Sequence, residues 1–215
     1  MNEATDQALP VAAESSGAEI AYRIGNALYL NITNACTLAC GFCPKTQGDY
    51  TVKGHQLHLS HQPSFEEVVE AIGDPTMYEE VVFCGYGEPT LRLALLKRVA
   101  AWLKERGVRV RLNTDGLANL VHRRNVVLEL RGLVDTVSVS LNAQNEALYN
   151  EHCQPSRAGA YAACKAFIRA AVAQLPEVVV TALDGLPGVD IEECRRIAEQ
   201  ELGARFRRRV YGLVG

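Results

Sequence analysis

Three of the seven cysteines of this 215-residue chain fall within eight residues, in Asn34-Ala35-Cys36-Thr37-Leu38-Ala39-Cys40-Gly41-Phe42-Cys43-Pro44. Thiolates this close converge on one inorganic centre only if the backbone folds around it. Gly41 inside the stretch and Pro44 at its end favour a loop over a helix or strand. Three sulfurs leave a tetrahedral or cubane centre one ligand short. A structural zinc site normally takes four protein ligands from two separated C-x-x-C pairs, and iron–sulfur clusters likewise usually take four cysteines. The loop therefore points to a metal centre with an open position. A chance cluster of thiols in a reduced chain is the plainer alternative.

The rest of the composition narrows the setting. With 48% hydrophobic and 22% charged residues the chain reads as one globular domain with one substantial core. No apolar run approaches the ~20 residues of a membrane span, and the N-terminus lacks a basic-then-apolar leader pattern, so a cytoplasmic protein is expected. Seven cysteines, three of them crowded, do not make a secreted disulfide framework. A net charge of −3 gives no general attraction to nucleic acid or membrane.

Taken in order, residues 1–18 are rich in Ala, Glu, Ser and Gly without periodicity and read as a mobile tail; residues 19–215 read as the folded domain. Ile20, Tyr22 and Ile24 alternate before Gly25-Asn26, and Leu28, Leu30 and Ile32 alternate after it, which predicts a hairpin delivering the chain to the cysteine loop. Residues 45–62 look polar and turn-like; His55, His58 and His61 there share no converging face and read as surface histidines. Ser64 and Glu67 form a capping box for a first helix. Strands over 80–84, 108–113, 134–142, 178–183 and 206–211 then alternate with helices over 89–106, 118–131, 143–149, 159–174 and 190–202. With the second hairpin strand this makes six strands in a right-handed parallel array, too few for a closed eight-fold barrel. The predicted fold is α/β, a partial parallel (β/α)6 barrel with an N-terminal β-hairpin.

Buried parallel strands usually read as continuous apolar runs. Two strands here alternate instead: Val137, Val139 and Leu141 with Thr136, Ser138, Ser140 and Asn142, and Val108, Val110 and Leu112 with Arg109, Arg111 and Asn113. The apolar set can face the helices while the polar set lines the barrel. Burying such groups unpartnered costs about 1–3 kcal/mol each, which favours a bound polar ligand. At the end of the second parallel strand, Cys84-Gly85-Tyr86-Gly87-Glu88-Pro89 puts a carboxylate at the barrel mouth and starts a helix at Pro89.

The C-x-x-x-C-x-x-C spacing with Phe42 before the last cysteine, followed by Gly87-Glu88-Pro89, resembles the radical S-adenosylmethionine (SAM) superfamily. The resemblance spans roughly residues 28–211. It implies an enzyme in which Cys36, Cys40 and Cys43 hold a [4Fe–4S] cluster and SAM takes the open iron. It further implies that Gly85, Gly87 and Glu88 meet the SAM ammonium, that Asn113 in Asn113-Thr114-Asp115-Gly116 lies near SAM, that Ser138, Ser140 and Asn142 meet its ribose or carboxylate, and that Phe42 meets adenine. Tyr86 stands where most members have a first glycine. Gly185 to Glu192 is a loose match to the adenine segment, equally a plain loop with an N-cap. The motif wording is most like the TatD-associated radical SAM proteins, a group named for association with a TatD-type nuclease. A one-electron donor such as flavodoxin or ferredoxin is the implied partner.

For the substrate, the barrel-mouth candidates are Lys45, Arg109, Arg111, Asp115 and Tyr211, with Cys84, Asp115 and Tyr211 as candidate catalytic groups. Cys84 otherwise reads as a small core residue. Cys164 and Cys194 read as helix packing, and Cys153 falls in a loop. An electron carrier would require a fourth cluster ligand, and none lies near in sequence. A zinc scaffold would leave the glycine-acid turn unexplained. Arg205, Arg207, Arg208 and Arg209 form a basic run open to a phosphate or nucleic-acid reading, though alternation divides them between two faces.

Overall fold

The computed structural model describes residues 19–211, so the expected tail, 1–18, lies outside it. β1 (Ala21–Ile24) and β2 (Ala27–Leu30) pair antiparallel around Gly25, whose φ of +61° suits glycine. β3 (Thr51–Val52) and β4 (His55–Gln56) add a short separate hairpin. Next come α1 (Phe65–Ile72), β5 (Glu80–Phe83), α2 (Leu93–Lys104), β6 (Val110–Thr114), α3 (Ala118–His122), α4 (Val127–Leu130) and β7 (Thr136–Ser140). The chain continues through α5 (Glu146–Cys153), α6 (Ala160–Gln174), β8 (Glu177–Asp184), α7 (Ile191–Arg196) and β9 (Arg205–Val210).

The main sheet runs β1-β2-β5-β6-β7-β8-β9, and every neighbour pair after β1–β2 is parallel. Six parallel strands in chain order, with helices between them and the hairpin at one edge, give the expected partial barrel. Its register stacks the inner face in rows. Tyr29, Val82, Arg111, Thr136 and Glu177 lie side by side, and Asn113, Ser138, Val179 and Arg205 form the row above. The alternate positions face the helices: Val81, Phe83, Leu112, Val137, Val139 and Val180 are fully buried with Leu96, Val99 and Leu103 of α2 and Phe167 and Ile168 of α6. Each such side chain contributes roughly 1.5–3 kcal/mol relative to exposure.

At the N-terminal end of the strands Glu177 accepts from Thr136 Oγ1 at 2.8 Å and pairs with Arg205 and, at 3.9 Å, with Arg109. This network closes the floor of the barrel. The strand ends carrying the cysteine loop form the mouth.

Several boundaries differ from the sequence reading, each for a local reason. The helix expected over 89–106 starts as a 3₁₀ turn, Pro89–Arg92, because Glu88 caps Thr90 N in place of an α-turn. The helix expected over 118–131 breaks: Arg123 sits in the left-handed region (φ 53°), and Asn119 Oδ1 accepts from Val126 N at 2.8 Å. Asp190 caps α7 as expected, but Glu193 turns outward to Arg196 instead of closing a box, and the helix ends in a π turn, Ile197–Glu201.

Residues 45–62 are less plain than their polarity implies, because Val52 and Leu57 pack with Tyr22 in a second small core. The three histidines there disperse as expected: His55 to Glu19 at 2.8 Å, His61 to Glu67 at 2.7 Å, and His58 stacked on Tyr50. The Ser64–Glu67 capping box is present. No helix among the described residues is long and apolar enough to cross a membrane.

Candidate active site

The cysteine loop leaves β2 and is fastened on its outer side to the end of α5. Ala39 N donates to Cys153 O and Gln154 O, Gly41 N to His152 O, and Ser156 N and Oγ both donate to Thr37 O. Within the loop Cys43 N donates to Cys40 O at 3.0 Å, Thr46 Oγ1 donates to Cys40 O and Cys43 O, and Lys45 Nζ donates to Asn34 O at 3.1 Å. Lys45 thus braces the loop.

Cys36 is exposed, Cys40 and Cys43 are half-buried, and burial raises the Cys43 thiol. Cys40 is raised by its hydrogen bond with Cys153 and then by burial. Among the described residues no three His, Cys, Asp or Glu side chains gather closely enough to grip one metal ion. Zinc would need sulfurs about 2.3 Å from a shared centre; a larger cluster needs a wider tripod.

The Cys84–Pro89 turn packs directly on this loop. A Cβ on Gly87 would stand 2.1 Å from Thr33 O and 2.6 Å from Ala35 O, and one on Gly85 would stand 2.2 Å from Asn31 Oδ1. Glycine here lets the turn close on the chain ahead of it, Gly85 against the Asn31 side chain and Gly87 against backbone carbonyls of the cysteine loop. Glu88 N donates to Ala35 O at 2.8 Å, tying the carboxylate to the loop. Tyr86, in place of a family glycine, turns away from the site. Its ring packs with Tyr22, Val52 and Leu57, and its hydroxyl donates to Thr51 O at 3.1 Å.

Glu88 is only 4% exposed. Its Oε1 accepts from Thr90 N, Thr90 Oγ1 and Thr114 Oγ1 at 3.0, 2.6 and 2.8 Å, and its Oε2 accepts from Asp115 N at 2.8 Å. Oε2 keeps accepting capacity. Asp115, also buried, accepts from Leu117 N at 2.9 Å and from Thr37 Oγ1 of the cysteine loop. Burial, and then the charge of Glu88, hold the Asp115 carboxyl well above the usual carboxylate range. Two buried carboxylates beside three thiols make a site that gains from a cation. Gly116 after them has φ +78°, and a Cβ there would meet Val139 Cγ1 at 2.8 Å and Cys164 Sγ at 3.0 Å, which leaves Cys164 a packing residue as expected. Cys194 is likewise buried.

Ser138 and Asn142 are buried at the mouth end of β7, and Ser140 is half-buried. Asn142 adopts φ 61°, a left-handed conformation that Asn tolerates better than most residues. Its Nδ2 donates to Cys153 Sγ at 3.8 Å, while its Oδ1 and that of Asn113 are buried without a partner among the described residues. Phe42 packs half-buried against the core.

Other candidates fall elsewhere. Arg109 sits at the floor with Glu177 and is 63% exposed, because the residue before β6 belongs to the opposite end of the strands from the mouth. Arg111 lies low on the inner face, bonded to Glu80 and Tyr29 Oη, both at 3.1 Å. Tyr211 follows β9, exposed, its N–H donating to Asp184 O. Cys84 belongs to the inner face beside Asn113 rather than to the apolar core, since alternation in β5 puts Phe83 outward; burial raises its thiol. Cys153 ends α5 fully buried, not in a loop. The segment from Gly185 to Glu192 is held by α5 and the chain before it, through His152 to Pro187 O and Gln144 to Gly188 O, and reads as a loop plus N-cap.

Sequence reasoning missed Thr37, Thr90 and Thr114, whose hydroxyls hold the two carboxylates, and it missed the contact of Cys153 with Cys40. The threonines flank motif residues and were findable. Cys153 reaches the loop only through tertiary packing.

The fold is shared with several solved enzymes. TYW1 with a lysine-pyruvate adduct bound superposes with a TM-score of 0.60 at 13% identity, over 88% of this chain and 66% of that one. Methylornithine synthase (PylB) gives 0.57 at 14%, over 86% and 53%. The radical SAM methyltransferase TsrM from Kitasatospora setae, with cobalamin and a [4Fe-4S] cluster bound, gives 0.52 at 14%, over 82% and 35%. The chain thus spans less than two thirds of the length of these structures. No curated protein matches its sequence. Residues 30–200, which hold the cysteine loop, the Glu88 turn and four of the six parallel strands, match the Radical SAM superfamily model. The chain belongs to the radical SAM superfamily, whose enzymes bind a [4Fe–4S] cluster and S-adenosylmethionine.

Proposed function

We propose that this chain uses Cys36, Cys40 and Cys43 to hold the cluster and Glu88, Asn113, Ser138, Ser140 and Asn142 to hold SAM. When bound, the cluster and SAM supply reductive cleavage of the sulfonium and a 5′-deoxyadenosyl radical that takes a hydrogen from substrate. The carrying observation is the position of the buried Glu88 carboxylate, tied to the cysteine loop through Ala35 O and keeping accepting capacity on Oε2. The orphaned Oδ1 atoms of Asn113 and Asn142 support the fit, since each needs a donor such as a ribose hydroxyl or an ammonium. Burial and the neighbouring Glu88 charge raise the Asp115 carboxyl, so a cation beside the pair would be favourable. Phe42 offers an apolar wall for adenine.

Within the superfamily we place the chain with the TatD-associated group, on the wording of Gly85-Tyr86-Gly87-Glu88-Pro89, Asn113-Thr114-Asp115-Gly116 and Ser138-Val139-Ser140-Leu141-Asn142. A flavodoxin or ferredoxin is the proposed donor, a TatD-type nuclease the proposed functional associate, and the cytoplasm the proposed compartment. The test is anaerobic reconstitution with iron and sulfide, then dithionite with SAM. Brown protein releasing 5′-deoxyadenosine supports the reading; iron-loaded protein inert towards SAM ends it. Glu88→Gln replaces one ionic hydrogen bond, worth about 1.5–3 kcal/mol, and should weaken SAM binding roughly 10- to 100-fold while leaving iron content unchanged.

Cys153, absent from the expected ligand set, neighbours Cys40 and raises its thiol, so its replacement tests a closed four-thiolate centre against the open one.

A further inference from the structure

The inner face of the barrel carries positive charge that the assignments above do not use. Of the four arginines on β9, two have acidic partners. Arg205 pairs with Glu177 at the floor, and Arg208 pairs with Asp184 on the helix-facing side. Arg207 and Arg209 share the inward face of the strand with Arg205, further towards the mouth, opposite Thr181 and Leu183 of β8. Among the described residues neither has a carboxylate within salt-bridge distance.

Arg111 reaches the same space from β6 with one carboxylate, Glu80, on its Nη2, while its Nε is buried without an acceptor. The charges of Arg111 and Arg209 both act on Cys84 and on Arg207; Arg207 is exposed and Arg209 half-buried, so the group is open to a ligand from solvent. Three guanidiniums facing one space with a single carboxylate between them repel one another unless something anionic joins them.

We propose that Arg207 and Arg209, with Arg111 behind them, form a substrate subsite on the inner barrel face that binds a phosphate group. The inference rests on the radical SAM reading for the word substrate. Two guanidinium charges are left over once Glu80 is counted against Arg111, and a phosphate monoester carries −1.5 to −2 near neutrality. A carboxylate brings one charge and fewer acceptors. The guanidinium fork matches phosphate oxygens two at a time, and the orphaned Arg111 Nε supplies one more donor. A nucleic-acid surface fits less well, because the outward-facing Arg208 is already neutralised by Asp184.

The test is a titration of the reconstituted, SAM-bound protein with inorganic phosphate at constant ionic strength, followed by calorimetry or by NMR of the arginine side chains. Acetate serves as the carboxylate arm. Saturable phosphate binding should weaken at least tenfold in the Arg207→Gln/Arg209→Gln double variant and less than twofold in Arg205→Gln/Arg208→Gln, with circular dichroism checking the fold of each. Absence of saturation in the wild type, equal weakening in both double variants, or acetate binding as tightly as phosphate overturns the proposal. The same wild-type preparation is assayed for SAM cleavage. Phosphate binding without cleavage overturns the radical reading and with it the substrate role; cleavage without phosphate binding overturns this subsite alone.

Discussion

Gly87→Ala tests whether the Glu88 turn and the cysteine loop are one rigid unit. The added Cβ would stand 2.1 Å from Thr33 O and 2.6 Å from Ala35 O, against a relaxed carbon–oxygen contact of about 3.3 Å. Both obstacles are backbone, so no side chain can rotate away. Either the turn or the loop must retreat by about 1 Å, and the Glu88 N–H to Ala35 O bond goes with it. Losing that bond costs about 1 kcal/mol, and forcing the packed segments apart adds about 1–3 kcal/mol, so the variant should lose roughly 2–4 kcal/mol.

Gly41→Ala, inside the cysteine loop itself, is the control. Its Cβ would meet only Gln154 Nε2, at 3.7 Å, and Gly41 has no positive φ, so its change should stay within about 0.5 kcal/mol. Urea unfolding of the metal-free protein reads both values, and the comparison holds if the two slopes agree. Iron content after reconstitution is the second readout: Gly87→Ala should bind less iron at equal protein, Gly41→Ala as much as the wild type. If the two variants unfold within 0.5 kcal/mol of each other, the turn and the loop are not mechanically coupled, and the placement of Glu88 by Ala35 fails as an argument.

Cys153→Ala should keep a full iron complement and SAM cleavage, while Cys36→Ala, Cys40→Ala and Cys43→Ala each lose both; a colourless Cys153→Ala protein would make Cys153 a fourth ligand and close the site to SAM. Tyr86→Gly, which restores the commoner family residue, removes the ring packed on Tyr22, Val52 and Leu57 and the bond to Thr51 O. It should cost about 2–4 kcal/mol in unfolding experiments while leaving SAM affinity within twofold; a large change in affinity would mean that Tyr86 touches the ligand. On the surface, Arg124 and then Lys97 hold the Glu129 carboxyl at about 2, against its ordinary 4.5. A lowered carboxylate stabilises fully above the ordinary value and loses that stabilisation as pH falls towards the lowered one. The difference in melting temperature between wild type and Glu129→Gln should therefore be constant above about pH 4.5 and shrink below it, and a difference that grows on acidification would contradict the pairing.

Strand order was legible because it rests on short-range pattern. Alternation in 110–114 and 136–140 shows which side chains share a face, and βα spacing dictates parallel neighbours. Features decided by distant contacts were not legible. Gly85 and Gly87 read locally as ligand-facing, yet what requires glycine there is the approach of Asn31, Thr33 and Ala35, more than fifty residues earlier. Arg109 and Arg111 differ by one pleat and looked equivalent at a barrel mouth. In the fold the first belongs to the floor with Glu177 and the second to the interior with Glu80 and Tyr29.

The basic run at Arg205–Arg209 shows the same division most sharply. One strand's alternation separates its members, but only the acidic residues of β8 determine which charges are spent. Glu177 takes Arg205 and Asp184 takes Arg208, both fixed by the β8–β9 register. Sliding β9 by two residues would keep every side chain on its face while bringing Glu177 to Arg207 in place of Arg205 and taking Asp184 away from Arg208. The free charge inside the barrel is thus a property of strand register, which the run of four arginines does not encode.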